Sequence, residues 1–365
     1  RYRPAPPSTM ADAPTMTVVI PAYNEGAMVA VAIDSVAAAR YPRDRLEIIV
    51  VDDGSTDDTW HHVELAAARH GARVTTVRFA KNRGKRAALA AGFRRAKGDI
   101  LVTIDSDSVI DDGTLLAMAG PFENAKIGAV AGRVTAYNRN AGVIASMLHV
   151  RYALSFDLLR AVQSTYGTVY CCPGALAAYR TSIVRELLDS WLGQTFLGVP
   201  CTFGEDRALT NAILERGHDT VYQGTAIVRT VVPTTYAQLC RMFIRWERSY
   251  VREEIRFARA VVWKRPLAKR IIALFDTVIM NLRYPIGYAS LALLVAMVVR
   301  DPAVLARVLL GVGLMSLFNM LYFLRTERSW AFLYGVAYAY FSFFALFWIF
   351  PYAAVTVRAR SWMTR

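Results

Sequence analysis

Short apolar runs alternate with alanine-rich segments along the first part of the chain. The apolar runs are rich in Val and Ile, and they read MTVVIPAYNE, LEIIVVDDGS, RVTTVRFAKN and DILVTIDSDS. The segments between them, such as AMVAVAIDSVAAA and KRAALAAGFRRAK, have the composition and spacing that are typical of helices. Strands that alternate with helices in this way predict an α/β domain with a mostly parallel sheet covered by helices on both faces.

A different pattern begins after about residue 270, where charges become rare and long apolar stretches follow one another. The stretches are 271–299, 308–324 and 330–357. A helix that crosses a bilayer needs ~20 apolar residues, so the second stretch is marginal and the third is ample. The first contains Asp276, Asn281, Arg283 and Pro285, and we therefore expect it to begin at the membrane surface rather than inside the lipid.

These patterns divide the chain into five parts. Aromatic, Arg and aliphatic residues are mixed over 236–257, a composition suited to a helix at a membrane surface. The predicted parts are a Pro-rich linker (1–15), a cytoplasmic α/β domain (16–233), an interfacial amphipathic region (234–269), a transmembrane region (270–357) and a C-terminal tail (358–365).

Composition supports a membrane protein and argues against a nucleic-acid-binding one. Hydrophobic residues make up 55% of the 365 positions, and the mean hydropathy is +0.27, which is high for a soluble enzyme. The net charge of +14 suits nucleic acid, an anionic membrane surface or an anionic substrate. No helix-turn-helix, zinc or RNP signature occurs, so we expect no nucleic-acid partner. The four cysteines have neither zinc-site nor disulfide spacing, and we expect reduced thiols.

Two carboxylates follow the fourth apolar run. Asp105 and Asp107 are separated by one serine, and along a strand such side chains point to the same face. Two like charges this close are unfavourable unless a cation lies beside them. A divalent cation that also binds phosphate oxygens would resolve the conflict. The alternative is a strand end with two solvated acids.

Polar clusters also follow the first three apolar runs, and ligands of open α/β sheets bind at the carboxyl ends of the strands. Tyr23 stands beside polar groups and could stack on a base, although a capped turn has the same residues. Asp52 and Asp53 could accept hydrogen bonds from a nucleobase or ribose, and they also suit an ordinary turn. Lys81 and Lys85 open a predicted helix, where a basic loop and the helix N-terminus favour a diphosphate. A solvated basic face is the alternative.

Two later clusters carry further candidates. Glu205 and Asp206 precede the helix-like stretch ALTNAILERG, so Asp206 is either a general base for an acceptor hydroxyl or a helix-capping acid. Arg245 could stabilise charge on a departing diphosphate, and Trp246 offers an apolar face to a sugar ring. A membrane-interface anchor is the alternative for this pair.

The order of these motifs is more specific than any one of them. PAYNE, DDGS, KNRGK, DSD, GED and RW follow one another at the ends of successive elements, as do the longer segments VYCCPGALAAYR, FGEDRALTN and RWERSYVRE. The chain resembles the family 2 glycosyltransferases with a GT-A fold. In particular it resembles their membrane-embedded processive branch, which includes hyaluronan synthases and nodulation-type chitooligosaccharide synthases.

The resemblance implies an inverting transferase in the inner membrane, with a UDP-sugar donor, a polysaccharide or oligosaccharide acceptor and Mg²⁺ or Mn²⁺. Asp107 would hold the metal, Asp206 beside Glu205 would be the base, and Arg245 would lie at the diphosphate. The implied nucleotide-sugar-binding residues are Pro21, Tyr23, Glu25, Asp52, Asp53, Lys81, Lys85 and Asp105. The implied acceptor-binding residues are Cys172, Gly174, Trp246 and Trp362.

The chain departs from the family pattern at three places. Met242 stands where the family has the Gln of Gln-x-x-Arg-Trp, Pro173-Gly174 reverses the usual Gly-Pro, and Met363 replaces a terminal Gly. Met242 in place of Gln changes the acceptor contacts that the resemblance implies, and with them the implied processivity. If Trp362 lies near the active site, the C-terminus is on the cytoplasmic side, together with the catalytic domain. The number of membrane crossings after residue 270 must then be even.

Three alternatives remain at this point. A non-processive family 2 transferase would add one sugar to a lipid carrier, and product length separates it from a polymerase. A silent nucleotide-binding membrane scaffold would not need the carboxylates at 105, 107 and 206. A nucleotide-binding dehydrogenase would need a G-x-G-x-x-G motif after the first strand, which is lacking.

Overall fold

An eight-stranded mixed sheet forms the centre of the first domain in the computed structural model, which describes residues 2–359. Along the sheet the strand order is β3-β2-β1-β4-β7-β6-β10-β5, and a separate hairpin joins β8 to β9. The strands are β1 (Met16–Ala22), β2 (Leu46–Asp52), β3 (Val74–Arg78), β4 (Ile100–Thr103), β5 (Ser108–Ile110), β6 (Ile127–Ala136), β7 (Ala177–Arg180), β8 (Thr195–Phe196), β9 (Val199–Pro200) and β10 (Asp219–Thr230).

The strands from the four apolar runs are parallel to one another, as their alternation with helices predicts. β1 pairs in parallel with β2 and β4, and β2 pairs in parallel with β3. β6 and β10 form a second parallel pair. β7 joins the two groups by running antiparallel to both β4 and β6, while β5 is antiparallel to β10. The result is a largely parallel GT-A-like α/β sheet, which confirms the predicted fold class.

Helices cover both faces because alternate residues of the central strands point in opposite directions. In β1, Val18 and Ile20 belong to one buried cluster and Val19 belongs to another. The helices are α1 (Met28–Ala38), α2 (Thr59–His70), α3 (Lys85–Arg95), α4 (Thr114–Ala119), α5 (Val143–Tyr152), α6 (Arg160–Ser164), α7 (Thr181–Leu192), α8 (Glu205–Glu215), α9 (Tyr236–Arg256), α10 (Leu267–Arg300), α11 (Ala303–Glu327), α12 (Phe332–Phe341) and α13 (Ile349–Val355).

The Pro-rich N-terminal segment, expected as a linker, lies against the α/β domain. The Tyr2 hydroxyl donates to the Tyr222 carbonyl at 3.0 Å, and the Gln223 side chain pairs with both backbone groups of Ala5 at 2.8 and 3.1 Å. A Cβ on Gly120 would lie 2.0 Å from the Pro6 carbonyl oxygen. This close packing shows that the segment is part of the domain surface.

The helix α9, which spans most of the predicted interfacial region, links the α/β domain to the later helices. Thr235 and Gln238 form a reciprocal capping box at its start, with both hydrogen bonds at 3.3 Å, and this fixes where the helix begins. Its buried face includes Leu239 and Phe243. Because α9 packs against both α8 and α13, it lies between the α/β domain and the last helix that the structure describes.

Two of the helices that the structure describes, α10 and α11, are long and apolar enough to cross a membrane. A third span exists if the residues 332–346 and α13, which meet at a 45° bend, are taken together. Two of the polar residues that interrupt the first apolar stretch have partners outside the membrane helices: Tyr166 of the α/β domain donates to Asp276 at 2.8 Å, and Asn281 donates to Glu254 of α9 at 3.0 Å. This explains how a continuous helix of 34 residues accommodates them.

Candidate active site

A cavity of about 1470 Å³ opens at the carboxyl ends of β1, β2 and β4 and extends to the membrane helices. Ends of neighbouring parallel strands meet at one edge of the sheet, which is why motifs far apart in the sequence converge there. The predicted site residues that line the cavity are Pro21, Tyr23, Glu25, Asp53, Lys85, Asp105, Asp107, Gly174, Glu205, Asp206, Arg245 and Trp246. Those that do not are Asp52, Lys81 and Cys172, and Trp362 lies outside the described residues.

The turn after β1 is fixed by the start of α2. The Thr59 hydroxyl oxygen accepts hydrogen bonds from the backbone N–H groups of Glu25 and Gly26, each at 2.8 Å. Asn24 has a left-handed backbone (φ +53°), and its side-chain oxygen accepts from the N–H of Thr56 at 2.9 Å. These bonds hold the neighbouring Tyr23 at the rim of the cavity.

Asp53 holds the basic loop against the sheet. Its two carboxylate oxygens accept from the backbone N–H groups of Arg83 at 2.7 Å and Gly84 at 2.8 Å. Burial raises the pKa of Asp53, although these two hydrogen bonds act in the opposite direction. Asp53 therefore positions the N-terminus of α3 beside the cavity.

Asp52 lies behind this surface and stabilises the turn. It is fully buried, bonds the Ser55 hydroxyl and lies 3.4 Å from the Arg78 guanidinium. The following Gly54 has φ +72°, and a Cβ there would lie 2.5 Å from the Lys81 backbone. The structure thus separates the two adjacent aspartates, with Asp53 at the cavity and Asp52 in the turn beneath it.

Lys85 provides the cation beside Asp105. Its ammonium group forms an ion pair with the Asp105 carboxylate and lies 3.5 Å from Glu205 Oε1. Burial alone would lower the pKa of Lys85, but Asp105 and Glu205 outweigh it and raise the pKa above its usual value. Lys85 is therefore protonated at neutral pH, at the N-terminus of α3.

Asp107 presents a buried carboxylate to the same cavity. Its Oδ1 accepts from the hydroxyl groups of Thr230 at 3.0 Å and Ser108 at 3.1 Å. No group of three or more His, Cys, Asp or Glu side chains within residues 2–359 is arranged to hold a metal ion by itself. Mg²⁺ is commonly held by one or two carboxylates together with substrate phosphates, so Asp107 fits a cation that binds with a diphosphate.

Replacing Lys85 by Gln should raise the KM for a sugar-nucleotide donor by ~10-fold, because a charge-assisted contact to phosphate is lost. Initial rates against donor concentration would measure this. The control is Lys97→Gln, which removes the same charge from an exposed position outside the cavity. Equal KM values for wild type and Lys85→Gln would contradict a role for Lys85 in donor binding.

Asp206 is held at the N-terminus of α8. The preceding Gly204 has φ +74°, and a Cβ there would lie 1.9 Å from the Ser249 hydroxyl oxygen, so the close approach of α8 to α9 requires glycine. Asp206 Oδ1 accepts from the Arg207 N–H at 2.7 Å, and Oδ2 accepts from the Gly174 N–H at 3.3 Å. Helix N-termini favour negative charge, which suits an ionised carboxylate here.

Gly174 lies close both to Asp206 and to the ion pair of Lys85 and Asp105. Its N–H donates to Asp206, and a Cβ on it would lie 3.0 Å from Lys85 Nζ and 3.5 Å from Asp105 Oδ1. The second residue of the Pro173-Gly174 pair is therefore the one that both groups approach closely. The basic group of Lys85 and the Asp206 carboxylate, which is suited to proton transfer, therefore face the same cavity.

Of the two adjacent cysteines, Cys171 lines the cavity, whereas the sequence analysis named Cys172. Cys172 is fully buried, and its backbone N–H donates to Thr210 at 3.0 Å. Cys171 lines the cavity instead, with its thiol 3.5 Å from Asp206 Oδ2. Burial and the nearby Asp206 raise the pKa of Cys171 to about 12, so the thiol is neutral. No pattern in the sequence distinguishes these two adjacent cysteines.

The far half of the cavity is lined by aromatic and basic residues and then by the membrane helices. Trp246 is 38% exposed, and its ring lies 6.3 Å from that of Tyr152, which the sequence reasoning did not identify. Met242 also lines the cavity, with its sulfur 3.9 Å from the Tyr152 hydroxyl. The cavity continues between α10, α11 and α12 along Met280, Ser316, Asn319, Tyr338 and Ser342.

Comparisons with known proteins agree with this geometry. Residues 17–188 match the family model for Glycosyl transferase family 2. An N-acetylglucosaminyltransferase of Azorhizobium caulinodans is 32% identical over 356 residues, which cover 96% of this chain and 87% of that protein. A hyaluronan synthase of Streptococcus pyogenes is 34% identical over 268 residues, which cover 71% of this chain and 61% of that protein.

A shorter match and a solved structure complete the comparison. An N-acetylglucosaminyltransferase of Rhizobium meliloti is 36% identical over 241 residues, covering 66% of this chain and 56% of the relative. A mannosyltransferase from Pyrobaculum calidifontis, solved with GDP-Man and Mn²⁺, shares the fold at a TM-score of 0.56 and 24% identity, over 82% of this chain and 84% of that one. Because the Azorhizobium protein is 32% identical over 96% of this chain, the chain belongs to glycosyl transferase family 2.

Proposed function

We propose that this protein transfers N-acetylglucosamine from a UDP-sugar to a growing β-linked polysaccharide or oligosaccharide of the chitin or hyaluronan type. One observation carries the proposal: the Asp206 carboxylate and the Lys85–Asp105 ion pair both approach Gly174 in a single cavity. The names of the Azorhizobium and Streptococcus relatives support a UDP-sugar donor and a saccharide acceptor.

The donor binds on the side of the cavity formed by the strand ends. Tyr23 and Asp53 lie where a base and ribose would be recognised, and Glu25 lies beside them. Lys85 and the N-terminus of α3 face the diphosphate, because both favour negative charge. Asp107 would hold Mg²⁺ or Mn²⁺, which neutralises charge on the diphosphate as UDP leaves.

Asp206 acts on the acceptor. Its carboxylate takes the proton of the acceptor hydroxyl as the hydroxyl oxygen forms a bond to the anomeric carbon of the donor. The bond from that carbon to the UDP oxygen breaks, and UDP leaves with the electron pair. Arg245 and Lys85 share the charge that develops on the leaving group. A single displacement from the opposite face inverts the anomeric centre, so an α-linked donor gives a β-linked product.

The cavity supports passage of the product toward the membrane. Ser316, Asn319 and Ser342 provide polar side chains along its continuation between the membrane helices, and hydroxyl and amide groups suit a saccharide. Lys269 and Arg270 lie at the start of α10, beside the α/β domain. Basic residues of this kind are enriched on the cytoplasmic side, which favours a cytoplasmic catalytic domain on the inner membrane.

The test is release of UDP by the purified protein in detergent. UDP-N-acetylglucosamine, UDP-glucuronate and UDP-glucose are offered singly and in pairs, with Mg²⁺ or Mn²⁺, and the products are sized on a gel. A ladder of products that depends on UDP-N-acetylglucosamine is expected. Single additions to a lipid would instead identify a non-processive transferase, and no UDP release from any donor would favour the silent scaffold.

A further inference from the structure

Three arginines that line the far half of the cavity lack a carboxylate partner. No Asp or Glu oxygen in the part of the chain that the structure describes lies within 4.0 Å of the nitrogens of Arg151, Arg160 or Arg241. The cations Lys85 and Arg207, which line the same cavity, are both paired with carboxylates. These three arginines lie on α5, α6 and α9. Arg283 of α10 also lines the cavity, and its Nη2 donates to the Tyr284 hydroxyl at 2.6 Å.

Arg160 is the most deeply placed of the three. Its guanidinium packs on the Phe156 ring at 3.7 Å, and its Nε donates to the Cys171 carbonyl at 3.1 Å. The Nη1 atom is buried without a hydrogen-bond partner. Burial lowers the pKa of Arg160, as expected for a cation that lacks a compensating negative charge.

Arg160 and Arg151 lie near the groups assigned to the acceptor, and Arg241 lines the same cavity. Arg160 is joined through Cys171 to Asp206, the proposed base. Arg151 lies over the Phe243 ring at 4.7 Å, and Phe243 contacts Trp246. Tyr152 lies near Arg151 and Arg160, and both charges act on its hydroxyl group. Burial raises its pKa to about 12, and the charges that act most strongly against this rise are those of Arg151, Arg245 and Arg160.

We propose that this wall, formed by Arg151, Arg160 and Arg241 with the rings of Tyr152, Phe156 and Trp246, is a subsite for an acidic saccharide. The carboxylate of a uronic acid residue in the acceptor supplies the missing counter-charge. This inference rests on the proposed function and narrows it to an acceptor that carries carboxylates.

Two physical arguments favour this ligand. Arginine pairs well with carboxylates, and removal of a cation from water is costly unless a counter-charge or hydrogen bonds accompany it. Aromatic rings beside the arginines offer apolar faces to the sugar rings that carry the carboxylates. A neutral chitin-type acceptor would leave all three cations unpaired. The donor diphosphate already has Lys85, Arg245 and the N-terminus of α3 as its proposed partners.

The experiment compares tetrasaccharides of equal length binding to the full chain in detergent, with UDP and Mn²⁺ present. One ligand alternates glucuronate and N-acetylglucosamine, the second is its carboxyl-reduced analogue, and the third contains only N-acetylglucosamine. The acidic ligand should bind ~10-fold more tightly than its reduced analogue, a ratio expected for one charge-assisted contact. The difference should shrink as salt is raised.

The variants Arg151→Gln and Arg241→Gln should each lower affinity for the acidic ligand by up to ~10-fold and leave the reduced analogue unaffected. Arg160→Lys, which keeps the charge at the most buried position, should retain most of the preference. Arg139→Gln removes an exposed charge outside the cavity and is the matched control. Equal binding of the acidic and reduced ligands by the wild type would overturn the inference.

Two further measurements separate the possible causes of failure. A polyprenyl diphosphate carrying a neutral disaccharide tests whether the anion belongs to a lipid carrier. If this ligand alone responds to Arg151→Gln, the anion is a phosphate and the saccharide assignment is overturned. UDP release is measured in parallel. Turnover of a UDP-sugar without any preference for the acidic ligand overturns this inference alone, whereas absence of turnover from every donor overturns the proposed transferase function.

Discussion

Replacing Asp206 by Asn should lower kcat by ~10²–10⁴-fold, the range that general base catalysis typically contributes. The carboxamide oxygen can still accept a hydrogen bond from the Arg207 or Gly174 N–H, so the N-terminus of α8 should keep its position. The carboxamide cannot take the acceptor proton. The KM for the donor should change little, because Lys85, and not Asp206, is the proposed contact to the donor diphosphate. Initial rates of UDP release with a saturating acceptor measure the effect.

The matched control is Asp189→Asn, which makes the same substitution at a side chain that is 94% exposed. Its kcat and thermal unfolding temperature should equal those of the wild type. An Asp206→Asn protein that unfolds at the wild-type temperature and retains more than about a tenth of the wild-type kcat would show that Asp206 is not the base. Loss of activity together with a lower unfolding temperature would indicate a structural role.

The second large effect is expected for Asp107→Asn. The Oδ1 of the new side chain can still accept from Thr230 and Ser108, so the turn after β4 should persist. Removing the negative charge should weaken Mn²⁺ binding in the presence of UDP and lower kcat by ~10²–10⁴-fold, since a metal that neutralises phosphate charge contributes several kcal/mol. Titration calorimetry with Mn²⁺ and rates against metal concentration measure the two effects.

Asp112→Asn is the control, because Asp112 belongs to the same region of the chain but is 69% exposed and outside the cavity. If Asp107→Asn and the wild type require the same Mn²⁺ concentration for half-maximal rate, Asp107 does not hold the metal. If the wild type transfers sugar equally well in the presence of a chelator, the requirement for Mg²⁺ or Mn²⁺ is itself wrong.

The arrangement of the parallel strands could be predicted because it depends on local patterns. The runs that become β1, β2, β3 and β4 are short, apolar and separated by helical segments, and such runs bury well only in a covered parallel sheet. The polar motifs follow those runs directly, so their common location at one edge follows from strand direction alone. Apolar helices after residue 270 were also expected, but not which of them are the clearest spans. These are α10 and α11, from the stretch expected to begin at the membrane surface and the stretch judged marginal, whereas the stretch judged ample is bent by 45°.

Residue-level roles within the motifs could not be predicted in the same way. Asp52 and Asp53 are adjacent, yet only Asp53 faces the cavity, and likewise only Cys171 of the two adjacent cysteines does. Which neighbour faces the cavity depends on the local backbone, including the positive φ of Gly54. A pattern of residue types contains no information on that choice.

Local sequence patterns are sufficient to predict the α/β class, the order of the site motifs and the presence of apolar helices, because each depends on neighbouring residues. Which charges compensate one another depends instead on the tertiary structure. Lys85 meets Asp105 and Glu205 across 20 and 120 positions of the chain, and Asn281 of a membrane helix meets Glu254 of α9. The tertiary structure also places Arg151, Arg160 and Arg241 along one cavity, with no carboxylate partner among residues 2–359. Ion pairing depends on distance in space, and packing of separate elements sets that distance.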